Sequence, residues 1–310
     1  MNRKVLVLDG GLSTEREVSK SSGSSIVKAL KKSGFVVREF DFQGKLEKIV
    51  AQFNPDVVFI ALHGKYGEDG TVQGVLELLG VPYTGSGVTA SAVCMNKLIT
   101  KRLFNSIGVK TPDYFSLKKG EVSSFDDARK KLKTERVVIK PVDQGSTIGI
   151  TIAKTSAEYL RGVNEAFALS DRIIVESFVS GTEITVSVIG NGNSARVLPV
   201  IEIIPEKDFY DYESKYTPGM SHHIIPARIS RKSYETAEKL STLIYKEFNV
   251  RDFGRIDFIV DKQGEVYALE VNTIPGFTET SLLPDAARAA GVSFEELVTS
   301  IVQFALARAK

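Results

Sequence analysis

The chain has 310 residues, 43% hydrophobic and 25% charged, with 40 basic against 38 acidic side chains and a formal charge of +2. That length exceeds one small core and predicts two or three domains, while the balanced charge gives no electrostatic case for nucleic acid or an anionic membrane as partner. Cys94 is the single cysteine, so no intrachain disulfide can form, and a reducing compartment suits that.

The opening Met1-Asn2-Arg3-Lys4 is followed by an apolar run, Val5 to Leu8, that stops at Asp9. This is too short for the core of a signal peptide, and the longest apolar run, Val57 to Leu62, is too short to span a bilayer. A soluble, cytoplasmic protein is expected. Val5–Leu8 reads as a buried strand, and Thr14 with Glu17 reads as a capping box opening a helix from Glu15 to about Lys32. Strands are predicted at 35–40 and 56–62, and helices at 46–52 and 71–79. Such alternation predicts a small parallel α/β unit with helices on both faces.

From Lys97 the pattern changes. A helix to Ile107, another over 125–132, a strand at 136–140, a helix over 157–167 and a strand at 172–176 predict a second, α+β unit. Gly190-Asn191-Gly192 marks a hairpin. A long polar loop from Pro205 to His223 then leads to an amphipathic helix over 231–248, a further hairpin and two terminal helices. His222 and His223 lack metal-ligand spacing and are read as exposed.

The hairpin over 253–272 carries the most chemistry. If Asp261-Lys262-Gln263-Gly264 is the turn and Val260 faces Glu265, then Arg255 faces Glu270 and Asp257 faces Ala268. That register gathers Arg255, Asp257, Glu270 and Asn272 on one face, with a diagonal Asp257–Glu270 pairing, and Ile256, Phe258, Val260, Leu269 and Val271 on the other. Two carboxylates and an amide oxygen suit Mg²⁺. Taken alone, a solvated face with a cross-strand Arg–Glu pair explains the same residues.

Val137-Val138-Ile139-Lys140 places a lysine at the end of an apolar strand, just before the Gly145-Ser146-Thr147 loop. There it can reach a phosphate, and the loop can offer N–H groups and hydroxyls; a surface turn is the plainer reading. No G-x-x-x-x-G-K-[ST] or G-x-G-x-x-G sequence is present, which excludes a P-loop and gives no sign of a dinucleotide site. Glu15, at the first helix start, is a candidate for binding an amine. His63 stands at the end of the third strand, where α/β sheets bind ligands, though a structural histidine fits equally.

Six runs, in order along the chain, resemble the D-alanine–D-alanine ligase family. They are Gly10–Ser19, His63–Gly70, Pro82–Gly87, Phe209–Tyr216, Gly254–Asp257 and Glu270–Thr278. The resemblance implies an ATP-grasp fold, α/β and α+β, preceded by a Rossmann-like parallel N-terminal domain. It implies domains over 1–96, 97–182 and 183–310. By position, Lys97 and Lys140 would contact ATP phosphates. Glu176, the backbone of Val179 and Glu183 would hold adenine and ribose, with Phe178 lining the base pocket. Asp257, Glu270 and Asn272 would hold two Mg²⁺, or Mn²⁺. Glu15 would bind the first D-alanine's ammonium group with His63 nearby, and Gly276, Ser281 and the backbone of Leu282 would take the second D-alanine. Ser146, Lys215, Tyr216 and Arg255 complete the catalytic set with Glu15, and a homodimer is expected.

Two small departures stand out. Thr147 replaces the second serine of a common Gly-Ser-Ser loop, and Phe178 stands where some relatives carry tryptophan. Tyr216 favours the dipeptide product over a D-alanine–D-lactate ligase, whose relatives tend to carry phenylalanine there. A catalytically dead nucleotide-binding protein is disfavoured by the intact set Lys140, Arg255, Asp257, Glu270 and Asn272.

Overall fold

The structure is a computed structural model and describes residues 3–205 and 221–308. Strands β1 (Lys4–Asp9), β2 (Val36–Asp41) and β3 (Val57–Ile60) pair in parallel in the order β2-β1-β3. Val5 to Leu8 and Val57 to Ile60 are completely buried, because helices cover the sheet on both sides. These helices are α1 (Arg16–Lys32), α2 (Leu46–Phe53) and α3 (Thr71–Leu78). The predicted Thr14–Glu17 capping box does not form. Glu15 is the N-cap, at φ −96° and ψ 17° with no side-chain cap. An N-cap normally has extended backbone; here Ser13 Oγ accepts the Glu15 N–H at 3.1 Å, and the chain turns into the helix one residue later than expected.

Two helices follow, α4 (Val88–Met95) and α5 (Lys97–Ser106). The first was not predicted, since Val88-Thr89-Ala90-Ser91-Ala92-Val93-Cys94-Met95 has no helical apolar stripe. The second sheet is antiparallel, ordered β4-β7-β5-β6. Its strands are β4 (Tyr114–Lys118), β5 (Val137–Pro141), β6 (Thr151–Ala153) and β7 (Arg172–Ser177). Helices α6 (Phe125–Leu132) and α7 (Ser156–Leu169) cover one face, each opened by a complete capping box. Val137, Ile139, Ile173 and Val175 point into the core under them. Strands β4 and β6 are additions to the predicted set.

The third sheet runs β11-β10-β8-β12-β13, with β9 also paired to β8. It comprises β8 (Gly181–Gly190), β9 (Arg196–Val197), β10 (Ile201–Pro205), β11 (Ser221–Ile224), β12 (Asp252–Asp261) and β13 (Val266–Asn272). Strand β11 lies within the segment expected to be loop. His223, expected to be exposed, is half-buried with Nδ1 2.6 Å from Asp285; pairing of β11 with β10 turns it toward the helix that carries Asp285. Helix α8 (Arg231–Glu247) packs on this sheet, and α9 (Leu282–Ala289) and α10 (Phe294–Arg308) close the described chain. Helix α10 fits between the first and third sheets, where Val7, Phe59, Phe253, Leu297 and Ile301 share one core. Phe277 meets Phe59 and Phe253 edge-on at 5.7 and 5.2 Å. Among the described residues no single helix is long and apolar enough to cross a membrane.

Candidate active site

The β12–β13 hairpin shows how the acidic wall is built. Gly264, at φ 84°, completes the turn, and its N–H bonds to the Asp261 carbonyl at 3.0 Å. Asp261 itself pairs with Glu265, so the ladder starts one residue away from the predicted register, with Val260 opposite Val266 and Phe258 opposite Ala268. Left uncorrected, that slip would turn one strand's polar set away from the other's. A β-bulge between Asp257 and Phe258 shifts the pairing again. Beyond it Asp257 faces Glu270 directly and Arg255 faces Asn272. The four polar residues therefore share a face as expected, but through two offsets. Leu269, predicted on the apolar face, is only partly buried and lines the cleft, because a bulge places two successive side chains on nearly the same side.

Asp257 is 6% exposed and fully engaged. Arg255 pairs with it through Nε at 2.9 Å and Nη2 at 2.8 Å. Thr185 Oγ1 and Asn272 Nδ2 donate to it at 2.5 and 3.0 Å. Glu270 Oε2 lies 3.6 Å from Lys97 Nζ. Among the described residues no three His, Cys, Asp or Glu side chains converge. Two carboxylates and an amide nonetheless form a hard-oxygen donor set that suits Mg²⁺, an ion that usually completes its shell with water and phosphate.

The opposite wall comes from the second sheet. Lys140, on β5, and Glu176, on β7, point into a cleft of about 490 Å³ that also takes in Asp257 and Glu270. Val138, Ile150, Ile152, Phe178, Ile259 and Leu269 give it an apolar lining, with Val179 at the chain's passage from β7 to β8 and Glu183 near the start of β8. Lys140 Nζ is 2.8 Å from Glu176 Oε2. Burial works against both charges, yet Glu176 holds the Lys140 ammonium above its ordinary value, and Lys101 and Lys140 hold the Glu176 carboxyl below its own. Lys97 Nζ donates to the Gln144 carbonyl at 2.5 Å. The guanidinium carbon of Arg136 sits 4.1 Å from the centre of the Phe178 ring.

The loop after Lys140 reaches the first sheet. Ser146 and Thr147 adopt φ of 48° and 65°, a left-handed conformation uncommon for such residues and often held at functional sites. Ser146 Oγ donates to Glu15 Oε1. A side chain at Gly145 would place its Cβ 2.9 Å from Glu15 Oε2, so glycine permits the approach. Glu15 is only 4% exposed. His63 is buried, 3.2 Å from Ser22 Oγ through Nε2 and 3.8 Å from Glu68 through Nδ1. Burial opposes its protonation, but Glu68 and then Glu15 raise it above the ordinary imidazole value.

Ser281 precedes α9 without capping it. Its Oγ instead accepts the Thr278 N–H at 3.1 Å and meets Thr278 Oγ1 at 2.7 Å, leaving the helix start at Leu282 free of a serine cap. A Cβ at Gly276 would lie 2.9 Å from Ser281 Oγ. Lys215 and Tyr216 lie outside the described residues. Sequence reasoning missed Leu269 and Lys101; the bulge hid the first, and an i, i+4 spacing from Lys97 was the available signal for the second.

Two sheets closing on a cleft, a lysine–glutamate pair on one and paired carboxylates on the other, define an ATP-grasp enzyme. The profile described as D-ala D-ala ligase C-terminus matches residues 103–303, and that described as D-ala D-ala ligase N-terminus matches residues 38–86. The chain belongs to the D-alanine–D-alanine ligase family. It is 45% identical over 307 residues to the D-alanine–D-alanine ligase of Carboxydothermus hydrogenoformans, covering 98% of each chain. Against the ligase of Aquifex aeolicus it is 44% identical, covering 96% of this chain and 99% of that one. The Bacillus anthracis ligase solved in complex with ATP superposes with a TM-score of 0.85 at 32% identity, covering 99% and 98% of the two chains.

Proposed function

We propose that this protein joins two D-alanine molecules into D-alanyl-D-alanine for peptidoglycan precursor synthesis, converting ATP to ADP and phosphate. One observation carries the reading: the Lys140–Glu176 pair and the Asp257–Glu270 pair, from different sheets, line one cleft. Lys97 and Lys140 bind the phosphates. Glu176, the backbone of Val179 and Glu183 hold adenine and ribose beside Phe178. Asp257, Glu270 and Asn272 would hold two Mg²⁺, which neutralise charge on the phosphate oxygens.

A carboxylate is a poor electrophile, so the γ-phosphoryl group passes to the first D-alanine's carboxylate, giving an acyl phosphate and ADP. The amine of the second D-alanine attacks the acyl carbon and phosphate leaves. Glu15, braced by Ser146, binds the first ammonium group, with His63 beside it. Ser281, Gly276 and the uncapped start of α9 at Leu282 receive the second carboxylate, as helix N-termini bind anions. Arg255 stabilises the tetrahedral oxyanion, and Lys215 and Tyr216 complete the catalytic set. The chain works as a cytoplasmic homodimer with domains over 1–96, 97–182 and 183–310; one of the three sheets falls almost wholly in each.

Coupled ADP release tests the assignment. Turnover is expected with D-alanine and at most weakly with L-alanine, or with D-lactate as the second substrate. Equal turnover of L- and D-alanine would overturn the substrate reading.

A further inference from the structure

Lys101 is the basic residue buried most completely among the described side chains, at 0% exposure. It stands one helical turn after Lys97 on α5 and does not line the cleft. Its Nζ lies 2.6 Å from Thr111 Oγ1, 3.0 Å from the Pro112 carbonyl and 3.3 Å from Glu176 Oε1. The Tyr114 ring centre is 5.1 Å away. Glu176 thus has one ammonium group on each oxygen, Lys101 from behind the cleft wall and Lys140 from within it.

A lone buried ammonium is costly, and a core residue of the same shape would usually be at least as stable there. Burial pulls Lys101 down to about 8, with Glu176 countering. Electrostatics suggests what the charge contributes. With Lys140 alone, Glu176 would form a closed neutral pair and hold that lysine to itself. A second ammonium shares the carboxylate and leaves the trio with a surplus positive charge. Thr111 extends the link: its Oγ1 donates to the Ala268 carbonyl at 2.8 Å, next to the bulge that sets Leu269 and Glu270.

We propose that Lys101 is a positioning residue for the nucleotide, fixing the Glu176 carboxylate where it accepts the amino group of the base and releasing Lys140 to the phosphates. The inference rests on the reading of Glu176 as the base-recognition group. Its test is nucleotide binding by calorimetry without D-alanine, using ATP and inosine triphosphate, which lacks the exocyclic amino group. Lys101→Met should weaken ATP binding about ten-fold and lower the preference for ATP over inosine triphosphate at least about three-fold. Lys101→Gln keeps a donor for Thr111 and decides the matter should the methionine variant fail to fold. ATP affinity within about two-fold of wild type in the folded variant would overturn the proposal.

Glu176→Gln separates the two readings. If it leaves the base preference unchanged, the base-recognition reading fails. If it changes the preference and Lys101→Met does not, only the Lys101 proposal fails. Acting through Glu176, Lys101→Met should add less than about two-fold in the Glu176→Gln background; a full additional ten-fold loss would overturn that route.

Discussion

The two walls of the cleft are built by opposite means. On the lysine wall a regular ladder carries Lys140 opposite Ile174 and two residues on from Val138, and an apolar strand ending in a lysine announces itself in the sequence. On the acidic wall the same result, polar groups on one face, requires a displaced turn and a bulge. Charge placement on a regular strand follows from alternation. On an irregular one it depends on turn and bulge geometry that alternation does not encode. The walls also differ in what satisfies them: Glu176 is held by two lysines, whereas Asp257 is held by Arg255, Asn272 and Thr185.

The largest effect should come from the acidic wall. Asp257→Asn or Glu270→Gln should lower kcat by roughly a thousand-fold or more, as loss of charge at a phosphoryl-transfer metal site does. Thermal unfolding should change little for Glu270→Gln, since no core is lost, and should fall for Asp257→Asn, which breaks the buried pair with Arg255. Near-normal turnover at ordinary Mg²⁺ would show that the hairpin is not the metal site.

Phe258→Ala should do the reverse. Phe258 is completely buried opposite Ala268, and its truncation should cost about 3–5 kcal/mol in denaturant unfolding. A loss below about 1 kcal/mol would mean that the apolar side of β12 is not the core.

What was legible follows the same division. The parallel sheet, its helices and the lysine strand were readable because apolar runs and helix signals are local. The Thr14–Glu17 box failed because a cap needs extended backbone, and Ser13 and Glu15 form a turn there. The identities of Arg255, Asp257, Glu270 and Asn272 as one group were readable; their register was not. Lys101 escaped because partners for a buried charge come from distant segments, at Thr111, Pro112 and Glu176.

Tyr216→Phe should lower kcat/KM for D-alanine relative to D-lactate in the second subsite about ten-fold, equivalent to about 1.4 kcal/mol. D-alanine is kept in the first subsite. An unchanged ratio would remove the sequence argument for a dipeptide product.

Leu269 gives the smallest effect and the sharpest test of how the acidic wall is made. Were β13 a regular strand in the expected register, Leu269 would lie in the core with Ile256 and Phe258, and Leu269→Ala would cost about 2–5 kcal/mol. The bulge instead turns it into the cleft, partly exposed and opposite Val138 and Ile152. Little core is then at stake, so stability should fall by less than about 1 kcal/mol. The cleft would lose part of its apolar lining, and KM for ATP should rise about three- to five-fold, in keeping with the loss of a modest apolar contact. The KM of D-alanine should stay as it was. A large stability loss with an unchanged KM for ATP would restore the regular register, and the bulge account of the polar face would fall with it.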